Sequence, residues 1–198
     1  MTTGEEMNVN GIIRVLRFVN LLGAAILAGG QVFVLAVIIP VKRHLPAGQS
    51  VRVHQTMLDE LPDRYLRPAG AISMVAAALT LLLQPDRSRV GTLFTLLGLL
   101  SGAGVVVTSE QFNKPTNRLL RGWSTDSPPE TYPALRDRWD AVHAARTACG
   151  LLALAWYIAA NLVPDARDAA GRAGPGVTAA GGARCAPAGP GRRSATCA

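Results

Sequence analysis

The sequence has few charged and few aromatic residues, and what it lacks narrows the classes of protein to which it can belong. Only 17% of its 198 residues are Asp, Glu, Lys or Arg, and only 5% are Phe, Trp or Tyr. The formal net charge is +7, yet no basic stripe with interleaved aromatic residues is present, so nucleic acid is not a predicted partner. Membrane phospholipid is the partner that this positive charge favours.

Motifs for nucleotides, flavins and metals are also missing. The chain has no glycine-rich phosphate loop, no dinucleotide-binding fingerprint, no Ser/His/Asp order and no H-E-x-x-H motif. Cys149, Cys185 and Cys197 form neither a CxxC motif nor a Cys/His cluster, so neither a zinc site nor a disulfide framework is indicated. We therefore predict no resident cofactor and no metal. A metal bound by His143 and His54 is kept as a minority alternative, because the histidines are scattered along the chain.

Four long runs of the sequence contain no charged residue: 18–41, 68–85, 90–109 and 147–164. A helix needs about 20 apolar residues to cross the hydrocarbon of a membrane, and each run comes close to that length. A soluble bundle would carry polar residues on the outer face of each helix at the helical period, and these runs carry almost none. We predict an all-α, multi-pass protein of the cell membrane with spans at about residues 18–40, 68–85, 90–109 and 143–163.

The remaining segments predict the rest of the architecture. Residues 1–10 are polar and expected to be mobile, residues 11–164 form the four-helix membrane domain, and residues 41–67 have the amphipathic pattern of a short interfacial helix. Residues 165–198 are mainly Gly, Ala, Pro and Arg, and are predicted to form a disordered C-terminal tail because they cannot bury enough apolar surface. Pro40 is expected to end the first helix, since proline lacks the N–H that continues a helix.

The first polar constellation, Asn113-x-Pro115-x-Asn117, directly follows the third uncharged run. Pro115 is expected to break the third helix and to start a new one, with Asn113 as its cap. Capping is the ordinary explanation for Asn113. Asn117 lies one turn further, where its amide could point towards the membrane domain.

The second constellation leads into the fourth span and contains Arg136, Trp139, Asp140, His143 and Arg146. Spacings of three and four place most of these side chains on one helical face. Taken alone, Trp139 is explained as an anchor at the membrane interface, and the arginines are explained by contacts with lipid headgroups. His143 and Arg146 are less easily explained in that way, because ionisable residues at that depth usually face the bundle interior. The even number of spans also places this helix, the Asn113 element and His54 on the same side of the membrane.

These elements resemble the anthrone oxygenase-like family of small integral membrane proteins. The resemblance covers about residues 17–163, and the family often has asparagine where this chain has Asp140. The resemblance rests on Pro40 at the end of the first span and on two motifs. The motifs are Asn113-x-Pro115-x-Asn117-x-x-Leu120 and Trp139-x-x-x-His143-x-x-Arg146-Thr147.

The resemblance implies a membrane-bound oxygenase of secondary metabolism. Members with assigned activities oxidise anthrones, which are lipophilic polyketides, to anthraquinones with molecular oxygen as co-substrate and without flavin or haem. A base would generate an enolate, and hydrogen-bond donors would stabilise the enolate and peroxide oxygens. The implied catalytic residues are His143 as the base and Arg146, Asn113 and Asn117 as stabilisers. The implied substrate-binding residues are Trp139, which would stack on the flat substrate, together with Asp140 and His54.

Two other classes of function remain open from the sequence. The protein could be a non-catalytic membrane protein that binds lipid or a partner subunit, or a small-molecule transporter, and a homo-oligomer is compatible with each alternative. An enzyme should bring Asn113, Asn117, His143 and Arg146 around a common cavity. A lipid-binding surface would instead spread these side chains outward along its rim.

Overall fold

The computed structural model describes residues 3–60, 62–84 and 87–164, and all regular elements in these ranges are helices. Short π-helical turns connect several of the α-helices, at Val34–Ile38, Pro62–Leu66 and Ser109–Asn113. The α-helices are α1 (Thr3–Phe33), α2 (Ile39–His44), α3 (Ala47–Glu60), α4 (Arg67–Leu83), α5 (Arg89–Thr108), α6 (Lys114–Arg121) and α7 (Tyr132–Leu162).

Four helical stretches are long and apolar enough to cross a membrane, which confirms the predicted all-α, four-helix membrane fold. Large apolar side chains on their outer surfaces are exposed, as shown by Leu82 at 76% and Leu100 at 70%. Such a surface suits lipid better than water. The four stretches are Val9–His44, Ala47–Leu83, Arg89–Arg121 and Tyr132–Leu162.

The long helices pack as two pairs, and small residues allow the close approach within each pair. Helix α1 packs mainly on α4, and α5 packs mainly on α7, while contacts between α1 and α7 join the pairs. A Cβ atom at Gly23 would lie 2.6 Å from the carbonyl oxygen of Ala69, and one at Gly98 would lie 2.4 Å from the ring of Tyr157. Glycine is therefore required where each pair is closest.

The chain stays helical through the prolines, so the expectation that Pro40 would end the first helix is wrong. A short α-helix does begin next to Pro115, at Lys114, as predicted, but a π turn joins it to α5 where a break was expected. Each π turn ends two residues before a proline, and the residue four positions before that proline lies inside the turn. A proline cannot donate to the carbonyl group four residues earlier, and its ring clashes with that group in a regular α-helix. The wider π turn removes both conflicts, so the helix continues. The three prolines are Pro40, Pro68 and Pro115.

The two long connections meet at one end of the bundle, as the even number of spans predicted. A short helix, α3, forms within the segment predicted to carry one, and it packs against α6 and against Tyr132 at the start of α7. The amide nitrogen of Gln55 donates to the carbonyl oxygens of Leu120 at 2.8 Å and Trp123 at 3.0 Å. Val51, Leu120 and Tyr132 form a buried apolar cluster beside these bonds. This end of the bundle is therefore closed by packed helices.

The predicted chain ends are only partly covered by the structure. The tail predicted at residues 165–198 lies outside the described residues. Helix α1 begins at Thr3, inside the segment predicted to be mobile. The boundaries proposed for the membrane domain stay predictions.

Candidate functional site

A cavity of about 350 Å³ lies between the long helices, at the level of the π turns. Pockets of roughly 300–1,000 Å³ are typical for small organic ligands, so the space suits such a molecule. All three π turns contribute to its wall, and π turns within helices often occur at functional sites. Most of the wall is apolar, and the polar side chains among the described lining residues include Gln31, Ser109, Asn113, Asn117, His143 and Arg146.

His143 is fully buried on α7, and both of its ring nitrogens have partners. Its Nδ1 atom lies 2.7 Å from Nη2 of Arg146, and its Nε2 atom lies 3.0 Å from the backbone oxygen of Gln31. Because arginine only donates hydrogen bonds, Nδ1 must be the acceptor and Nε2 must carry the proton that is donated to Gln31. The first and fourth long helices thus fix the orientation and the tautomer of this imidazole.

Arg146 contributes a guanidinium group without an acidic partner in the described part of the chain. Besides His143, it donates to the hydroxyl of Ser109 at 3.2 Å, and its Nε atom is buried without a hydrogen-bond partner. Within residues 9–59, 64–84 and 87–164, whose side chains the structure describes, no Asp or Glu forms an ion pair with it. A largely buried cation surrounded by apolar groups is costly unless something compensates its charge. The guanidinium is therefore well placed to receive an oxygen atom that carries negative charge.

Asn113 lies at the end of the third π turn, and its side chain does not cap a helix as predicted. Only 2% of the residue is exposed, and neither its amide oxygen nor its amide nitrogen has a partner among the described residues. The π turn keeps the chain helical through this position, so no free helix start remains for a cap to serve. Buried amides are nearly always hydrogen-bonded, and this one instead lines the cavity.

Asn117 and Trp139 form a second polar contact at the cavity wall. The indole nitrogen of Trp139 donates to the amide oxygen of Asn117 at 2.8 Å, which leaves the amide nitrogen as the group that Asn117 can offer to a ligand. The indole stacks on His143 with ring centroids 5.0 Å apart and an interplanar angle of 11°. Trp139 therefore supports the catalytic candidates as well as lining the cavity.

Asp140 and His54 lie beside Trp139 but are absent from the described lining of the cavity. Both surround the buried Lys42, whose ammonium nitrogen is 3.5 Å from Oδ1 of Asp140 and 3.2 Å from Nδ1 of His54. Arg43 also contacts the carboxylate of Asp140 at 3.0 Å. The ammonium group lies 4.4 Å from the centroid of the Trp139 ring. The structure thus places the two residues in a charged cluster next to the site, and their predicted contact with a substrate stays a prediction.

The two histidines are separated by the Trp139 indole, which packs against both rings. Their Nδ1 atoms face the cationic side chains of Lys42 and Arg146, which would have to move before a metal could bind there. Within the part of the chain that the structure describes, no three His, Cys, Asp or Glu side chains gather as a metal site would require.

Sequence reasoning missed Gln31, Lys42 and Glu110. Gln31 is 1% exposed, lines the cavity, and has an amide oxygen without a described partner. Its position inside an uncharged run was a usable signal, since polar residues at membrane depth usually face the protein interior. Glu110 is the carboxylate among the described lining residues, and it pairs with Lys114 one turn later. Lys42 gave no local signal, because its burial depends on α3 and α7.

Four membrane-length helices around a partly polar cavity define an α-helical membrane protein with an internal cavity of a size that suits a small molecule. The anthrone oxygenase family model matches residues 61–156, a segment that contains Asn113, Asn117, Trp139, His143 and Arg146. This match confirms the resemblance to that family. Comparisons with curated proteins and with solved structures found no match.

Proposed function

We propose that the protein is a membrane-bound oxygenase that oxidises a lipophilic aromatic or polyketide-like metabolite with molecular oxygen. The observation that carries the proposal is the convergence of four side chains on one cavity, namely those of Asn113, Asn117, His143 and Arg146. A protein that uses these residues to bind headgroups or a partner subunit would present them on its rim. Their shared cavity supports an enclosed reaction site.

The proposed reaction converts a methylene group, made acidic by a conjugated carbonyl, into a new carbonyl group. A base removes one proton, and the resulting enolate carbon donates its electron pair to oxygen to give a hydroperoxide. Loss of the second proton on that carbon breaks the O–O bond and releases water. One oxygen atom remains on carbon and the other leaves as water, so the substrate supplies all the electrons. The protein needs to supply only a base and stabilisers of negative charge.

His143 is the proposed base, and Arg146 controls its availability. In the structure, Arg146 donates to the Nδ1 lone pair that would accept the proton. An enolising oxygen is a stronger acceptor for the guanidinium than a neutral imidazole, because the hydrogen bond becomes charge-assisted on both sides. Movement of Arg146 from Nδ1 to the substrate oxygen would free the base only when a substrate is bound. The bond from Nε2 to Gln31 would hold the ring in place during this exchange.

Asn113 and Asn117 are the proposed stabilisers of the peroxide. Each can offer an amide N–H to the cavity without breaking a bond that the structure shows for that group. These donors are held by helices and surrounded by apolar walls, where hydrogen bonds to developing charge are stronger than in water. Trp139 is the proposed wall for the aromatic rings of the substrate.

Turnover of an anthrone by the purified protein in lipid nanodiscs tests the proposal. We expect oxygen consumption and quinone absorbance to rise together, and ¹⁸O₂ to label the new carbonyl group. His143→Gln should lower the rate by about a hundredfold, a typical contribution of general base catalysis. His44→Gln is the matched control, because His44 is exposed and its ring bonds to the carbonyl of Pro40 outside the cavity. A rate no higher than that of spontaneous oxidation, or full activity of His143→Gln, would refute the proposal.

A further inference from the structure

The cavity reaches the molecular surface on one side only, as judged from its described lining residues. Most of them are buried or half-buried, and the exposed ones come from α4 and from α5 with its π turn. We name this opening the lateral mouth and define it by these exposed lining residues, Arg67, Ala71, Val106 and Glu110.

The helix packing explains why the mouth lies between α4 and α5. Each of these helices packs mainly on another partner, α4 on α1 and α5 on α7, and they contact each other much less. Small residues, Gly70 and Ala71 on α4 and Gly102 on α5, line the cavity where it approaches the gap. Space therefore remains between the two pairs of helices.

The position of the mouth along the helices indicates which solvent it faces. Arg67 directly precedes the uncharged run of α4, and Glu110 directly follows that of α5. Ala71 and Val106 lie one turn further into the apolar runs, beside the exposed side chains of Ile72 and Val107. Charged residues next to an apolar surface are typical of the level where headgroups meet hydrocarbon.

At the end of the bundle where the two long connections meet, packed side chains cover the helices. Val51 of α3 and Leu120 are 0% exposed and Tyr132 is 1% exposed, and the three side chains pack together. The hydrogen bonds from Gln55 to the α6 end hold α3 in this place. The described residues at this end are therefore held together by packing and hydrogen bonds, whereas α4 and α5 leave a gap.

We propose that the lateral mouth opens into the bilayer and admits a membrane-dissolved ligand with one polar end. The polar end reaches Arg146 and Asn113, while the apolar body lies against the walls near the mouth. This inference rests on the cavity being the binding site of the proposed function, but it concerns the access route and does not require turnover.

Thiol labelling in nanodiscs, which expose both faces of the membrane to water, tests the route. The reporter is Ser109→Cys, because Ser109 lines the cavity and the change is nearly isosteric. It is placed in a chain with Cys149→Ala, Cys185→Ala and Cys197→Ala, and Val105→Cys serves as a second reporter of the same cavity. The reagents are pyrene maleimide, which partitions into lipid, and a charged methanethiosulfonate. Rates are normalised to those at Ser124→Cys, in the exposed connection before α7.

We expect the normalised labelling by pyrene maleimide to exceed that by the charged reagent by about tenfold, since access controls the reactivity of a thiol. Val106→Trp should slow the lipid-soluble reagent by about fivefold, because the bulky ring obstructs the mouth. Val107→Trp is the matched control, since Val107 is 48% exposed against 49% for Val106 but does not line the cavity. In the Val107→Trp variant, the labelling rate of the cysteine reporter at position 109 should stay unchanged.

Three results would overturn the proposal. In the first, both reagents label the cavity reporters at equal normalised rates, and in the second, neither reporter is labelled although the protein is folded. In the third, Val106→Trp and Val107→Trp slow the lipid-soluble reagent equally. None of these rates depends on oxygen or on an anthrone. A failed turnover assay would therefore leave the access route testable, and a failed labelling test would leave the proposed chemistry testable.

Discussion

At the scale of single residues, polar atoms without described partners surround the cavity on three helical segments. They include the amide of Asn113, Oε1 of Gln31 and Nε of Arg146. A buried polar group without a partner costs about 1–3 kcal/mol of stability. Such a cost is retained where a ligand completes the hydrogen bonds, and the three groups together provide both donors and acceptors.

Replacement of Asn113 separates stability from function. Asn113→Leu removes a buried amide without partners and keeps a similar volume, so we expect the free energy of unfolding in detergent to rise by about 1 kcal/mol. Turnover should fall, because a proposed stabiliser of the peroxide is lost.

The control is Asn20→Leu, at a residue that is also buried but whose amide nitrogen is hydrogen-bonded. Its amide nitrogen donates to the backbone oxygen of Ser73 at 2.9 Å and to the Ser73 hydroxyl at 3.1 Å. This variant should be less stable than the parent protein. A loss of stability in Asn113→Leu as large as that in Asn20→Leu would show that Asn113 has a structural partner.

At the scale of helices, the π turns set which side chains face the cavity. A π turn inserts one residue relative to an α-helix, and this rotates everything after it by about 100°. Asn117 and the proline at 115 follow the third turn, so the contact between Asn117 and Trp139 depends on it.

Pro115→Ala should therefore relax the third π turn. An alanine supplies the N–H that can bond to the carbonyl of Gln111, which favours a regular α-helix. We expect slower amide hydrogen exchange at residues 111–116 and lower turnover as Asn117 rotates away from Trp139. Pro133→Ala is the control, because Pro133 lies in the first turn of α7 and no π turn precedes it. Unchanged exchange in Pro115→Ala would mean that tertiary packing alone maintains the π turn.

At the scale of the whole molecule, two tightly packed helix pairs leave a cavity and its mouth between them. The tightness within a pair depends on glycine. A Cβ atom at Gly98 would lie 2.4 Å from the ring of the buried Tyr157, so α5 and α7 would have to separate.

Gly98→Ala should lower the free energy of unfolding in detergent by about 2 kcal/mol, as overpacking of a core does. Gly29→Ala is the opposite case on α1, since a Cβ atom there meets nothing within 4 Å. That variant should gain up to about 1 kcal/mol, because alanine loses less entropy in a helix than glycine. Similar effects of the two changes would contradict the role of Gly98 in pairing the helices.

The sequence predicted the membrane fold better than it predicted the site. The uncharged runs predicted four spanning helices, since the crossing of a membrane depends on length and local composition. The prediction for Pro40 was wrong because local rules treat a proline as a helix end, whereas packing allows a π turn to accommodate it. Asp140 was predicted to bind the substrate because it lies next to the helical face of Trp139 and His143. In the structure its carboxylate pairs instead with Lys42 and Arg43, which belong to another helix.

The sequence by itself determined that this chain spans a membrane with four helices, and that the Asn113 element and the helix carrying His143 lie at the same end. Only the tertiary structure decided which polar groups have partners. His143 bonds to the backbone of a residue 112 positions away, and Arg146 meets no described carboxylate. The physical reason is that hydrogen-bond partners depend on the approach and rotation of distant helices, which the close packing at glycines and the register of the π turns fix together.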